Sequence, residues 1–138
     1  MTAPDAAAGA GVPRGDERIL LVEDDDPVRA YVAGQLADLG YRVVEARNGV
    51  EALALLQAGE RFDLLFTDVV MPGGVNGPQL AEAARQHCPG LKVLYTSGYT
   101  ENAIVHHGRL DPGVHLLSKP YRRHELAVKV RRVLDEPA

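Results

Sequence analysis

From Glu17 onward, short apolar runs alternate with amphipathic stretches, and this alternation constrains the fold more than any other feature of the chain. Ile19-Leu20-Leu21-Val22 is uninterrupted, as a strand buried on both faces requires. Asp26-Pro27 then reads as a helix start, with Asp as cap and Pro at the first helical position. Val28, Val32, Leu36 and Leu39 line one face of that helix, and Gly40 stops it. Tyr41 to Ala46 alternates as a second strand nearer an edge, and Asn48-Gly49 makes a turn. Val50, Leu53, Ala54 and Leu56 mark a second helix ending near Gly59. The unit repeats: a buried strand from Phe62 to Thr67, a loop from Met71 to Gly77, and a helix from about Pro78 to His87. Leu91 to Thr96 is the fourth strand, followed by a weak helix over roughly Glu101 to His107. Val114 to Leu117 is the fifth strand, and Arg123 to Leu134 the last helix, with Leu126, Val130, Val133 and Leu134 inward. Five strands alternating with five helices predict an α/β fold: a parallel, doubly wound sheet with right-handed crossovers and helices on both faces.

Composition sets the outer bounds. At 138 residues the chain holds one domain and can bury a core without staples. Residues 1–16 are almost all small residues, Gly or Pro, and read as a flexible N-terminal tail ahead of a domain spanning 17–135. Its single cysteine, Cys88, excludes an internal disulfide framework and a Cys-cluster zinc site. Fifteen Lys and Arg against 19 Asp and Glu argue against nucleic acid as a partner. No apolar run approaches the roughly 20 residues of a membrane helix, and the N-terminus lacks the layout of a signal peptide, so a cytoplasmic protein is expected. The five histidines (His87, His106, His107, His115, His124) show no ligand spacing and read as surface or helix-end residues.

In a doubly wound sheet, ligands bind beyond the carboxyl ends of the strands, so chemistry is sought just after each apolar run. Glu23, Asp24, Asp25 and Asp26 follow the first strand, and Asp68 follows the third. Thr96-Ser97 closes the fourth and Ser118-Lys119-Pro120 the fifth. Gathered on one rim, these residues form an acidic cluster with a hydroxyl and an ammonium beside it. Close carboxylates repel unless a cation sits among them, and hard divalent cations, Mg²⁺ above all, favour such oxygen ligands. A hydroxyl and a Lys suit the oxygens of a phosphoryl group in transfer, and only a carboxylate is placed to act as nucleophile. Asp25 and Asp26 read more simply as a solvated turn and helix cap.

The set Leu21-Val22-Glu23-Asp24, Thr67-Asp68-Val69-Val70-Met71-Pro72, Thr96-Ser97-Gly98 and Ser118-Lys119-Pro120-Tyr121 closely resembles the receiver domains of two-component response regulators. The likeness runs from Arg18 to about Leu134, and two further stretches, 94–100 and 108–113, look like receivers fused behind hybrid histidine kinases. It implies a flavodoxin-like (βα)5 fold, Mg²⁺ dependence, and phosphorylation of an aspartate by a histidine kinase or histidine phosphotransfer protein. Signalling to a downstream protein target would follow by conformational change. Position by position, Asp68 matches the phosphoacceptor, Asp24 the direct metal ligand and Glu23 the outer acid that holds metal through water. Val70 matches the residue lending its backbone carbonyl to the metal, Thr96 the switch hydroxyl, and Lys119 the lysine that pairs with the phosphoryl group. The resemblance also implies a cis Lys119–Pro120 peptide.

The chain departs from the family pattern in three places. The loop Pro72 to Gly77 is one residue longer than the commonest receiver loop, and Leu116 stands where receivers usually carry a switch aromatic, leaving Tyr99 as a substitute. The helix after strand four lacks a strong apolar stripe. Two other readings share the residues: a Mg²⁺-dependent phosphohydrolase with an Asp nucleophile, and a degenerate receiver that only binds partners. Against the first, the hydrolase acid/base position two residues beyond Asp68 is Val70. Against the second, Asp24, Asp68, Thr96 and Lys119 are all present. A receiver is read as a phosphoacceptor signalling domain rather than a turnover enzyme. It would serve as a stand-alone regulator, a phosphate shuttle or part of a longer protein, and the tail favours a complete short one.

Overall fold

The computed structural model describes residues 13–69, 76–97, 105–106, 109–110, 115–118 and 121–136. Strands β1 (Arg18–Val22), β2 (Arg42–Ala46), β3 (Leu64–Asp68), β4 (Lys92–Ser97) and β7 (His115–Ser118) form one parallel sheet in the order β2-β1-β3-β4-β7. Helices α1 (Asp26–Asp38), α2 (Gly49–Gln57), α3 (Gly77–His87) and α4 (Arg123–Asp135) cover its two faces. β2 is an edge strand, as its alternation predicts, and β3 is central and buried at every residue.

Strand geometry sends successive side chains to opposite faces, and the apolar runs build two cores accordingly. Ile19, Leu21, Leu64, Phe66 and Leu94 pack against Val32 and Leu36 of α1, its C-cap Leu39, and Leu126, Ala127, Val130 and Val133 of α4. Leu20, Val22, Leu65, Val93 and Tyr95 pack against Ala52 and Leu56 of α2 and Leu80, Ala81 and Ala84 of α3. Each fully buried Leu contributes about 1.5–3 kcal/mol, so the sheet is held by aliphatic burial on both sides. Among the described residues, no helix is long and apolar enough to cross a membrane.

Three sequence expectations require correction. The cap of α1 is Asp25, whose side chain accepts from the Val28 amide at 3.0 Å; Asp26 is the first helical residue and pairs with Arg29. On α2 the inward residues are Gly49, Ala52 and Leu56, while Val50 is 57% exposed and Ala54 faces solvent, because Asn48 starts the helix and sets its phase. No helix is found between β4 and β7 among the described residues. Instead β5 (Val105–His106) and β6 (Arg109–Leu110) pair antiparallel, Val105 opposite Leu110. At these positions β-branched Val105 favours the extended form. Residues 101–104 and 107–108 lie outside the described set.

Two residues ahead of Glu17, Arg14 and Gly15, bond to the end of α1. The Gly15 amide donates to the Leu39 carbonyl at 3.1 Å, and the Arg14 guanidinium donates to the Asp38 carbonyl at 2.8 Å. Gly40, at φ +100°, leaves room for this contact: a Cβ there would stand 2.4 Å from the Gly15 oxygen. Arg131 of α4 binds the same segment, donating to the Arg14 carbonyl and pairing with Glu17 at 2.5 Å and Asp135 at 2.8 Å.

The Arg131 guanidinium beside Glu17 holds that carboxyl below its ordinary value of 4.5, against the opposing effect of burial. A depressed folded-state pKa stabilises the protein above the unfolded value, and the contribution fades as pH falls through the folded one. Glu17→Gln is therefore expected to lower stability near pH 7 by up to about 1 kcal/mol. The gap to wild type should close below the ordinary Glu value. Urea titrations at neutral and acid pH measure it, and a gap independent of pH would exclude the pair as its source.

Candidate functional site

The strand order reverses between β1 and β3, which makes the carboxyl ends of these neighbours the topological switch point. Register carries the side chains there: Val22 lies opposite Thr67, and Asp68 opposite Thr96. Glu23 and Asp24 leave the end of β1, while Asp68 is the last residue of β3. Glu23, Asp68 and Thr96 are buried, and Asp24 is exposed at the rim.

One carboxylate oxygen each from Glu23, Asp24 and Asp68 lies within 4.8 Å of the other two. The Thr96 hydroxyl donates to Asp68 Oδ1 at 2.8 Å. Backbone bonds fix this pair from below: the Val69 amide donates to the Thr96 carbonyl at 3.1 Å, and the Gly77 amide to the Val69 carbonyl at 2.9 Å. Glu23 is pinned by its amide bond to the Ala46 carbonyl, and its carboxylate accepts from the Asp25 amide at 3.1 Å. Three carboxylates in this space repel one another, and their all-oxygen donor set suits a hard divalent cation.

The structure thus brings together Glu23, Asp24, Asp68 and Thr96. Val70 and Lys119 lie outside the described residues, as do the Lys119–Pro120 peptide, Tyr99 and residues 71–75 of the β3–α3 loop. Leu116 is half-buried in β7 opposite Tyr95 and packs on the α2/α3 core. His87 and His124 are exposed on α3 and α4. His115 is less exposed than a surface histidine, with Nε2 3.0 Å from Glu136 Oε1.

Two residues beside the site were given no role by the sequence reading. Tyr121 follows Lys119-Pro120 and packs its ring 6.5 Å from that of Phe66. Burial first, then the charges of Glu23 and Asp68, push its phenol above the ordinary value, so it stays protonated beside the cluster. Arg29 bends back from α1 onto the loop that carries Glu23 and Asp24. A cation in the first turns of a helix, where the dipole disfavours it, was the available signal.

Fold and site together define a doubly wound, flavodoxin-like α/β protein with a carboxylate-centred site at the switch point. Residues 19–131 match the family model of the response regulator receiver domain. The chain is 35% identical over 118 residues to the response regulator receiver protein CpdR of Brucella abortus, covering 86% of this chain and 97% of that one. It is 37% identical over 123 residues to the sensor kinase CckA of the same organism, covering 88% of this chain but only 13% of the kinase. Among crystal structures, it resembles the receiver domain of the hybrid histidine kinase CckA (TM-score 0.71, 37% identity, 86% of this chain and 99% of that one). A receiver protein from Sinorhizobium medicae superposes with TM-score 0.75 at 27% identity, covering 87% and 95%. This chain belongs to the response regulator receiver domain family of two-component systems.

Proposed function

We propose that this receiver, in the cytoplasm, accepts a phosphoryl group on Asp68 from a histidine kinase or histidine phosphotransfer protein in a Mg²⁺-dependent reaction, and signals the change to a downstream protein. The observation that carries this reading is Asp68 itself: a buried carboxylate at the end of the central strand, held by the Thr96 hydroxyl, with oxygens of Glu23 and Asp24 within 4.8 Å. An Asp68 oxygen attacks phosphorus while the bond from phosphorus to the donor imidazole nitrogen breaks, and the imidazole keeps that electron pair. Glu23, Asp24, Asp68 and, by resemblance, the Val70 carbonyl would hold Mg²⁺. When bound, the ion neutralises phosphoryl oxygens. Thr96, which donates to Asp68 Oδ1, would hand that hydrogen bond to a phosphoryl oxygen. Lys119, by resemblance, balances the remaining charge. The β3 ladder keeps Asp68 from relaxing away from the donor, which is the positional part of the catalysis.

Intact-mass measurement after incubation with acetyl phosphate tests this. One added phosphoryl group, present with Mg²⁺ and absent with EDTA, is the expected result. Continuous release of inorganic phosphate without an adduct would point to the hydrolase reading. Neither adduct nor release would point to a pure interaction module.

A further inference from the structure

The loop from Glu23 to Asp25 follows the last ladder residue of β1, so something other than the sheet must set the direction of Asp24. The Arg29 guanidinium makes three bonds, one of them to that loop. Nη1 donates to the Glu23 carbonyl at 3.0 Å, Nη2 pairs with Asp26 Oδ1 at 2.8 Å, and Nε donates to Glu45 Oε1 at 3.2 Å. The partners belong to three segments: the β1–α1 loop, the first turn of α1, and β2. The Arg29 side chain is only 15% exposed.

Its location is electrostatically unfavourable on one count. The N-terminal end of a helix carries partial positive charge, so an arginine there gains nothing from the dipole. Its ion pairs are also poor reasons for its presence, since Asp26 is 72% exposed and Glu45 47% exposed, and such pairs contribute little. The bond to the Glu23 carbonyl is of a different kind. That carbonyl belongs to the peptide joining Glu23 to Asp24, and the Glu23 amide is already fixed on Ala46. Both the amide and the carbonyl of Glu23 are thus held, which fixes the peptide leading into Asp24.

Resting on the phosphoacceptor reading of this site, we infer that Arg29 is a positioning residue for the cation: it pre-sets the Glu23–Asp24 peptide so that both carboxylates converge on Asp68. Partners that orient metal ligands typically change affinity 10–100-fold when lost. Charge and position here predict opposite signs. Removing a cation beside an acidic cluster strengthens the local negative potential and, if charge were all that mattered, would tighten Mg²⁺ binding. Losing the clamp weakens it.

The test is the Mg²⁺ dissociation constant of the purified chain by calorimetry, for wild type, Arg29→Ala and Arg29→Lys, with circular dichroism and melting in EDTA to confirm folding. Both variants are expected to weaken Mg²⁺ binding about tenfold or more. The Lys variant should resemble Ala, because a single ammonium keeps the charge but cannot span three partners in the guanidinium fork. Unchanged or tighter binding in Arg29→Ala, or wild-type binding in Arg29→Lys, would overturn the inference. If neither variant folds, Arg29→Gln decides, because its neutral amide keeps one donor for the Glu23 carbonyl but loses the other two bonds: weaker Mg²⁺ binding than wild type supports the clamp, and equal or tighter binding overturns it. A wild-type chain that takes up no Mg²⁺ would overturn the site reading along with it, whereas binding in wild type and Arg29 variants alike removes only the clamp.

Discussion

Asp68→Asn is expected to reduce phosphoryl uptake to background while the protein stays folded. The amide has the shape of the carboxylate, and its Oδ1 still accepts from the Thr96 hydroxyl, so the bond that orients the side chain at 2.8 Å survives. What is lost is the anionic nucleophile and one of the three oxygens of the acidic cluster. The substitution also removes one of three mutually repelling charges, and Asp68 is only 7% exposed, so water screens that repulsion poorly. The melting temperature in EDTA should therefore equal or exceed that of wild type. Labelling by a phosphorylated kinase, read beside the melting curve, checks both halves. Uptake at the wild-type rate would place the nucleophile elsewhere.

Gly77→Ala is expected to be the most damaging single-methyl change near the site. A Cβ at Gly77 would stand 2.4 Å from the Asp68 carbonyl oxygen, 3.1 Å from the Val69 Cα and 3.2 Å from the Tyr95 ring. The nearest two atoms are backbone, so no side chain can turn aside, and either α3 or the end of β3 must shift. Overpacking of this kind costs about 1–3 kcal/mol, and a backbone collision belongs at the upper end. For a chain of this length that corresponds to a fall in melting temperature of roughly 10 °C. Because the Gly77 amide holds Val69 and the Val69 amide holds Thr96, the shift also disturbs the Asp68–Thr96 pair. The folded fraction should therefore phosphorylate more slowly. A variant melting within about 2 °C of wild type would show that the helix start is compliant.

Much of this architecture was legible because its signals are local. The apolar runs 19–22, 62–67 and 91–96 each contain residues that must be buried on both faces, and the strands lie there within a residue or two. The acids and the hydroxyl were found because a parallel sheet puts strand ends on one rim. The remainder was hidden because it depends on distant partners. Asp25 and Asp26 are both good caps, and only the helix phase decides between them. Val50 is apolar, yet the phase set by Asn48 turns it to solvent. Arg29 looks like any helix-surface arginine until Glu45 arrives beside it from β2. The β5–β6 ribbon has too few residues for any periodicity to register.

The central, wholly buried position of β3 has a consequence for how the site comes into being. Asp68 and Thr96 are 28 residues apart in sequence, and the acids of β1 are more distant still. None of their contacts survives in an unfolded chain or in any one isolated helix–strand unit, because each spans two neighbouring strands. The site therefore assembles only when β1, β3 and β4 have paired. Its formation is a late, non-local event that rises and falls with the cooperative unit as a whole. Amide exchange at Phe66 and Asp68 should then proceed only through global opening.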